Sequence, residues 1–190
     1  MLFKKMWRTV GLYRAQFISM IIMITLGIGI FVGFNMEWVS IKGNTDSFFK
    51  KTGYADYRVM SEASFKDEDV KKILSIDGVD DAARFVSAAV DVKEREGDTL
   101  SLAVTTNAAV SGMLVTEGDA YDKNSENGVW LSDKYASAND FSLGDSITLN
   151  YKNIKISGTV KGLIKSGEFM ICVRDESQIM PDFSTHGFAY

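Results

Sequence analysis

The chain has 190 residues, a formal net charge of −4, one cysteine and one histidine. A single cysteine excludes an internal disulfide framework, and a single histidine excludes the usual multi-histidine zinc site. The four basic residues Lys4, Lys5, Arg8 and Arg14 precede every acidic one, which leaves the rest with 17 basic against 25 acidic residues, a formal charge of −8 that disfavours nucleic acid as a partner.

Residues 2–17 place Leu2, Phe3, Met6, Trp7, Val10, Tyr13 and Phe17 at helical spacing, with the four basic residues on other faces. This pattern predicts a basic amphipathic segment over residues 1–14 lying at the inner membrane interface, with Gly11 as the bend before the bilayer. An unstructured basic stub that only sets topology is the alternative.

From Ala15 to Met36 no residue is charged. At about 1.5 Å per residue such a helix covers roughly 30 Å, the thickness of a bilayer's hydrocarbon core. The apolar region of a cleaved signal peptide is shorter, roughly 7–15 residues, and ends at small residues, whereas this run ends in Asn35-Met36-Glu37-Trp38. A transmembrane helix over 15–38 is therefore expected. The positive-inside rule then puts residues 1–14 in the cytosol and the remainder outside. Thr25, Gly29 and Gly33 fall four apart on one face, a small-residue stripe suited to close packing against another helix. Trp38 stands where an outer aromatic anchor is expected.

Residues 39–53 read as a linker or an extension of the helix. A strand is expected over Ala55–Met60, then an amphipathic helix with Ser64 and Asp67 as its capping box. Val86, Ala88, Val90 and Val92 alternate with less apolar residues, as do Leu100, Leu102 and Val104, so a hairpin turning at Glu96-Gly97-Asp98 is expected. Val129–Leu131 reads as a strand leading into a short helix capped by Ser132. A second hairpin joins Ile147, Leu149 and Tyr151 to Ile154, Ile156 and Val160 through Lys152-Asn153, and Phe169–Val173 reads as a further strand. The expected class is α+β, one amino-terminal transmembrane helix followed by a mixed α+β domain over 54–190 built of antiparallel pairs, and incomplete at its carboxyl end.

No catalytic constellation emerges. Cys172 and His186 could pair as nucleophile and base, but Cys172 lies in the apolar run Phe169–Val173 and reads as a core cysteine. Neither GxSxG nor a P-loop occurs, so no nucleotide or other cofactor is expected to bind. Asp122, Asn124, Glu126 and Asp133 approximate a calcium loop, with Val129 at the eighth position. The glycine is displaced to Gly128 and the flanks are not helical, so a solvated turn is the simpler reading and no metal is expected.

The segments Gln16-Phe-Ile-Ser19 through Gly33-Phe-Asn-Met-Glu-Trp38, Tyr54-Ala-Asp-Tyr-Arg-Val59 and GVWLSDKYASANDFSLGDSITL (128–149), with ISGTVKGLIKS after it, together resemble the start of an FtsX-like ABC transporter permease with a MacB-type extracytoplasmic (periplasmic) core. In Leu143-Gly144-Asp145 the leucine is expected to pack the preceding helix, the glycine to take positive φ and the aspartate to cap the turn. The resemblance implies a non-catalytic permease subunit in a bacterial plasma membrane, working with a separate cytosolic ATPase and driving export, efflux or other extracytoplasmic work. It further implies that Lys4, Lys5, Arg8 and Arg14 set topology and meet the ATPase or inner-leaflet lipid phosphates. Thr25, Gly29 and Gly33 would pack against the remaining permease spans or a second permease copy, with Trp7 and Trp38 as interface anchors. A complete permease has at least four spans, so the chain reads as an amino-terminal portion. A single-span anchored binding or adaptor domain is the alternative.

Overall fold

The structure is a computed structural model that describes residues 2–61, 64–175 and 177–190. The elements in chain order are α1 (Leu2–Leu12), α2 (Arg14–Thr52), α3 (Asp67–Leu74), β1 (Phe85–Val92), β2 (Thr99–Thr105), β3 (Leu114–Gly118), β4 (Gly128–Ser132), α4 (Asp133–Ala138), β5 (Ser146–Tyr151), β6 (Ile154–Lys165) and β7 (His186–Ala189). The chain divides into two units, Met1–Ser47 and Phe48–Tyr190.

In the first unit, α1 carries Lys4, Lys5 and Arg8 within an arc of about 100°, opposite an apolar arc of about 140° holding Leu2, Phe3, Met6, Trp7 and Val10. The helix breaks at Tyr13, whose N–H still bonds the Thr9 carbonyl while its own carbonyl accepts from Gln16 and Phe17. The bend thus falls two residues after Gly11, which sits inside α1. A 39-residue helix, α2, starts at Arg14, and its apolar stretch is long enough to cross a membrane, with none of that stretch buried in the chain.

In the second unit, seven strands form one mixed sheet in the order β3-β6-β4-β7-β2-β1-β5. β5 also pairs with β6, so six of the strands close into a ring and β3 lies alongside β6 as an appendage. The two expected hairpins are present: β1 and β2 run from Phe85↔Thr105 to Asp91↔Thr99, and β5 and β6 from Ser146↔Thr159 to Tyr151↔Ile154. Beside the expected antiparallel pairs, β7 runs parallel to β2 and β4 runs parallel to β6. These pairings join residues far apart in sequence, which no local alternation announces.

Two expected strands do not form. Residues 54–60 form no strand and leave Tyr57, Val59 and Met60 exposed. Phe169–Val173 turns instead, beginning with Met170 N–H to the Gly167 carbonyl, and packs through Phe169 and Cys172, three residues apart where a strand would bury every second one. The first capping position also shifts: Asp69 accepts the Lys66 N–H at 2.9 Å, so the helix starts two residues beyond the Ser64 box. Ser132 is the N-cap of α4, but its side chain makes no cap bond and its Oγ is buried without a partner among the described residues. Ser132 is also the last β4 residue, paired with Ile164, and strand alternation fixes where its side chain points.

Alternation divides the core in two. Val90, Val92, Leu100, Val129, Leu131, Ile147, Leu149, Val160 and Ala189 pack together with Tyr135 and Ala136 of α4. Ala103, Trp130, Ile164, Cys172, Phe188 and Tyr190 pack as a second cluster, with Phe85 and Phe169 against it. Gly144 takes φ +91° and Asp145 Oδ2 accepts the Ser142 N–H at 2.8 Å, the expected turn. Leu143 departs from expectation: it is 39% exposed and its methyl faces Gly118, while Phe141 stacks on Tyr135 of the helix.

Candidate functional site

The residues singled out from sequence lie on the two amino-terminal helices. Lys4, Lys5, Trp7 and Arg8 are on α1; Arg14, Thr25, Gly29, Gly33 and Trp38 are on α2. All are exposed in the isolated chain. Thr25, Gly29 and Gly33 fall within an arc of about 80°. A Cβ added at Gly27, Gly29 or Gly33 would meet no atom within 4 Å, so nothing in this chain's packing accounts for these glycines.

The chemistry-bearing candidates separate. Asp122 accepts the Asn124 N–H at 2.9 Å and its carbonyl accepts from Ser125, a self-contained turn. Val129, at the eighth position of the calcium-like pattern, belongs to the β4 core strand. Among the described residues no group of acidic, histidine or cysteine side chains could hold a metal. Cys172 is buried, and burial pushes its thiol up to about 11, which makes it a poor nucleophile. His186 is buried between Thr99 Oγ1, 2.8 Å from Nδ1, and Ser101 Oγ, 3.4 Å from Nε2. Burial, aided by the charge of Arg174, holds the imidazole below its usual range, so it stays neutral.

Sequence reading missed the polar node at the root of α2. The helix ends at Thr52 in a Schellman motif: Gly53 takes φ +59°, the Tyr54 N–H reaches back to the Phe49 carbonyl at 3.0 Å, and the Phe49 and Tyr54 rings stack at 4.5 Å. The carbonyls of Thr52 and Gly53 then accept the N–H groups of Gly112 and Ser111 at 3.0 and 2.7 Å. Approach is so close that a Cβ on Gly53 would lie 2.0 Å from the Ala109 carbonyl oxygen, and one on Gly112 2.0 Å from that of Ala108. Gly167 closes the third side against Thr52, Tyr54 and Phe49.

Beneath this node the Ser166 hydroxyl donates to the Gly112 carbonyl at 2.9 Å and lies 3.0 Å from the Tyr190 hydroxyl, which donates to the Ser111 carbonyl at 3.1 Å. With each hydroxyl proton given to a carbonyl, the contact between the two hydroxyl oxygens has none of its own. Burial pushes the Tyr190 phenol up to about 12. The Tyr190 backbone exchanges both hydrogen bonds with Trp130 at 2.9 Å, tying the node to β4. Three signals in sequence could have found it: Thr52-Gly53 after Lys50-Lys51 is a helix stop, and Ser111-Gly112 and Ser166-Gly167 are repeated Ser-Gly turns.

The node fixes the last turn of α2 to the Ser111-Gly112 loop through main-chain bonds that tolerate no added atom. No curated protein matches the chain. The MacB-like periplasmic core domain matches residues 17–189, from within the apolar helix through β7, and the chain belongs to that family.

Proposed function

We propose that the chain supplies the first span and outer core domain of a permease subunit of an FtsX/MacB-type ABC transporter. ATP hydrolysis resides in a separate cytosolic subunit, and the permease converts it into extracytoplasmic work such as export or efflux. The observation that carries this reading is the family match across both the apolar helix and the sheet domain. A span that served only as an anchor would need neither that continuity nor the open glycine face on α2.

In this reading residues 1–14 are cytosolic, 15–38 cross the plasma membrane of a bacterium, 39–53 extend the helix and 54–190 lie outside. Lys4, Lys5, Arg8 and Arg14 set that orientation and face lipid phosphates or the ATPase. Trp7 and Trp38 hold the two interfaces. Thr25, Gly29 and Gly33 receive another permease span or a second copy of the subunit. The permease forms no covalent intermediate and needs no cofactor of its own.

The test is purification of the whole gene product from detergent-solubilised membranes. A P-loop ATPase that co-purifies and hydrolyses ATP supports the transporter; recovery of the chain free of any nucleotide-binding subunit favours an anchored binding domain. Proteolysis of sealed vesicles and of spheroplasts checks the orientation separately.

A further inference from the structure

Beside the root of α2 sits an ion pair whose two halves live in different surroundings. Glu168 follows Gly167, and its side chain is 6% exposed. Its Oε2 pairs with the Arg58 guanidinium, while its Oε1 is buried without a hydrogen-bond partner among the described residues. Arg58 is 49% exposed and lies 5.0 Å above the Phe85 ring. A buried carboxylate with one unsatisfied oxygen carries an uncompensated desolvation cost, and its cation already stands half in water. Asp98 offers the contrast: also buried, it receives both Arg95 Nε at 3.1 Å and the Tyr135 hydroxyl at 3.0 Å.

The pair joins the two segments that flank the node. Arg58 lies five residues beyond Gly53, on the irregular stretch that leaves the helix and has no strand partner. Glu168 adjoins the glycine on which Thr52, Tyr54 and Phe49 rest, and its N–H donates to Ser166 Oγ at 3.3 Å. The pair therefore ties residue 58 to the 166–168 turn, which touches Thr52, Tyr54 and Phe49 through Gly167 and the Gly112 carbonyl through Ser166.

We infer that Arg58 and Glu168 form a releasable latch over the root of α2. In the closed state it protects the two main-chain bonds that hold Thr52 and Gly53. Opening returns the carboxylate and its orphaned oxygen to water, lets residues 54–58 lift, and frees the helix end to shift without unfolding the sheet. The inference concerns a motion within Phe48–Tyr190 and does not depend on an ATPase partner.

Hydrogen exchange of the full chain in detergent micelles tests it, comparing Arg58→Ala, Arg58→Lys, Glu168→Gln and the double variant Arg58→Ala/Glu168→Gln. The amides of Ser111 and Gly112 are expected to exchange about tenfold faster in Arg58→Ala and Glu168→Gln, with the double variant no faster than the singles. Arg58→Lys recovers part of the protection, and amides of the β5/β6 hairpin are unchanged throughout. Unaltered exchange at Ser111 and Gly112 overturns the latch. So does equal acceleration of node and hairpin, which makes the pair an ordinary contributor to global stability.

Discussion

Gly29 and Gly33 on α2 share with Gly53 and Gly112 at its root the same missing side chain, for opposite reasons. At the root, carbonyl oxygens lie 2.0 Å from where a Cβ would stand; along the apolar helix nothing lies within 4 Å. Gly53 and Gly112 are required by the chain's own packing. Gly29 and Gly33 are unexplained by it, and under the proposed function they serve a neighbouring span. A glycine's meaning is thus set by what surrounds it.

The contrast can be broken by substitution. Gly53→Ala places a side chain at φ +59° and against the Ala109 carbonyl, and is expected to cost more than about 3 kcal/mol of sheet-domain stability. Urea unfolding read from Trp130 emission, in a Trp7→Phe/Trp38→Phe background, measures it; a loss under 1 kcal/mol,, would show that the node yields easily. Tyr190→Phe removes the hydroxyl that satisfies the Ser111 carbonyl and is expected to cost about 1–3 kcal/mol in the same assay.

A smaller effect depends on pH. His186 titrates near 6.5 when unfolded and lower when folded, so below that value the unfolded chain takes up the proton first. Stability is expected to fall as pH drops from about 7 through this range, and His186→Gln should flatten the slope. A slope identical in the two proteins would remove the neutral imidazole from the account.

At the far end of the scale, Gly29→Leu should leave sheet-domain stability within about 0.5 kcal/mol, because a Cβ at that position meets nothing within 4 Å. In the proposed permease its effect belongs to assembly: cysteine crosslinking from α2 to a second span is expected to disappear while membrane insertion persists. Crosslinking at the wild-type level would leave these glycines without a role.

What the sequence disclosed follows the range of the interaction. The β1/β2 and β5/β6 hairpins were legible because alternation and turn lie within one local stretch, with Gly97 and Lys152 at positive φ in the connections. β7 was not, since His186–Ala189 derives its strand character from Thr99–Leu102. Phe169–Val173 misled because an apolar run fits a strand and a packed turn equally well. The node at the helix root was hidden for a related reason. Its parts, Thr52-Gly53, Ser111-Gly112 and Ser166-Gly167, are each an ordinary turn signal, and only the fold brings them together. The amphipathic and apolar patterns of α1 and α2 needed no such help.

The ring of strands has a kinetic consequence. β7 sits between β2 and β4, and Thr99 must meet His186 across 87 residues before those two neighbours are bridged. While only the earlier residues have emerged, β2 and β4 hold unpaired edges and the apolar faces that Phe188 and Ala189 cover are open to water. A topology of such distant contacts closes slowly, on the order of milliseconds to seconds. The domain is therefore most exposed to self-association and proteases between emergence of residue 132 and arrival of residue 186.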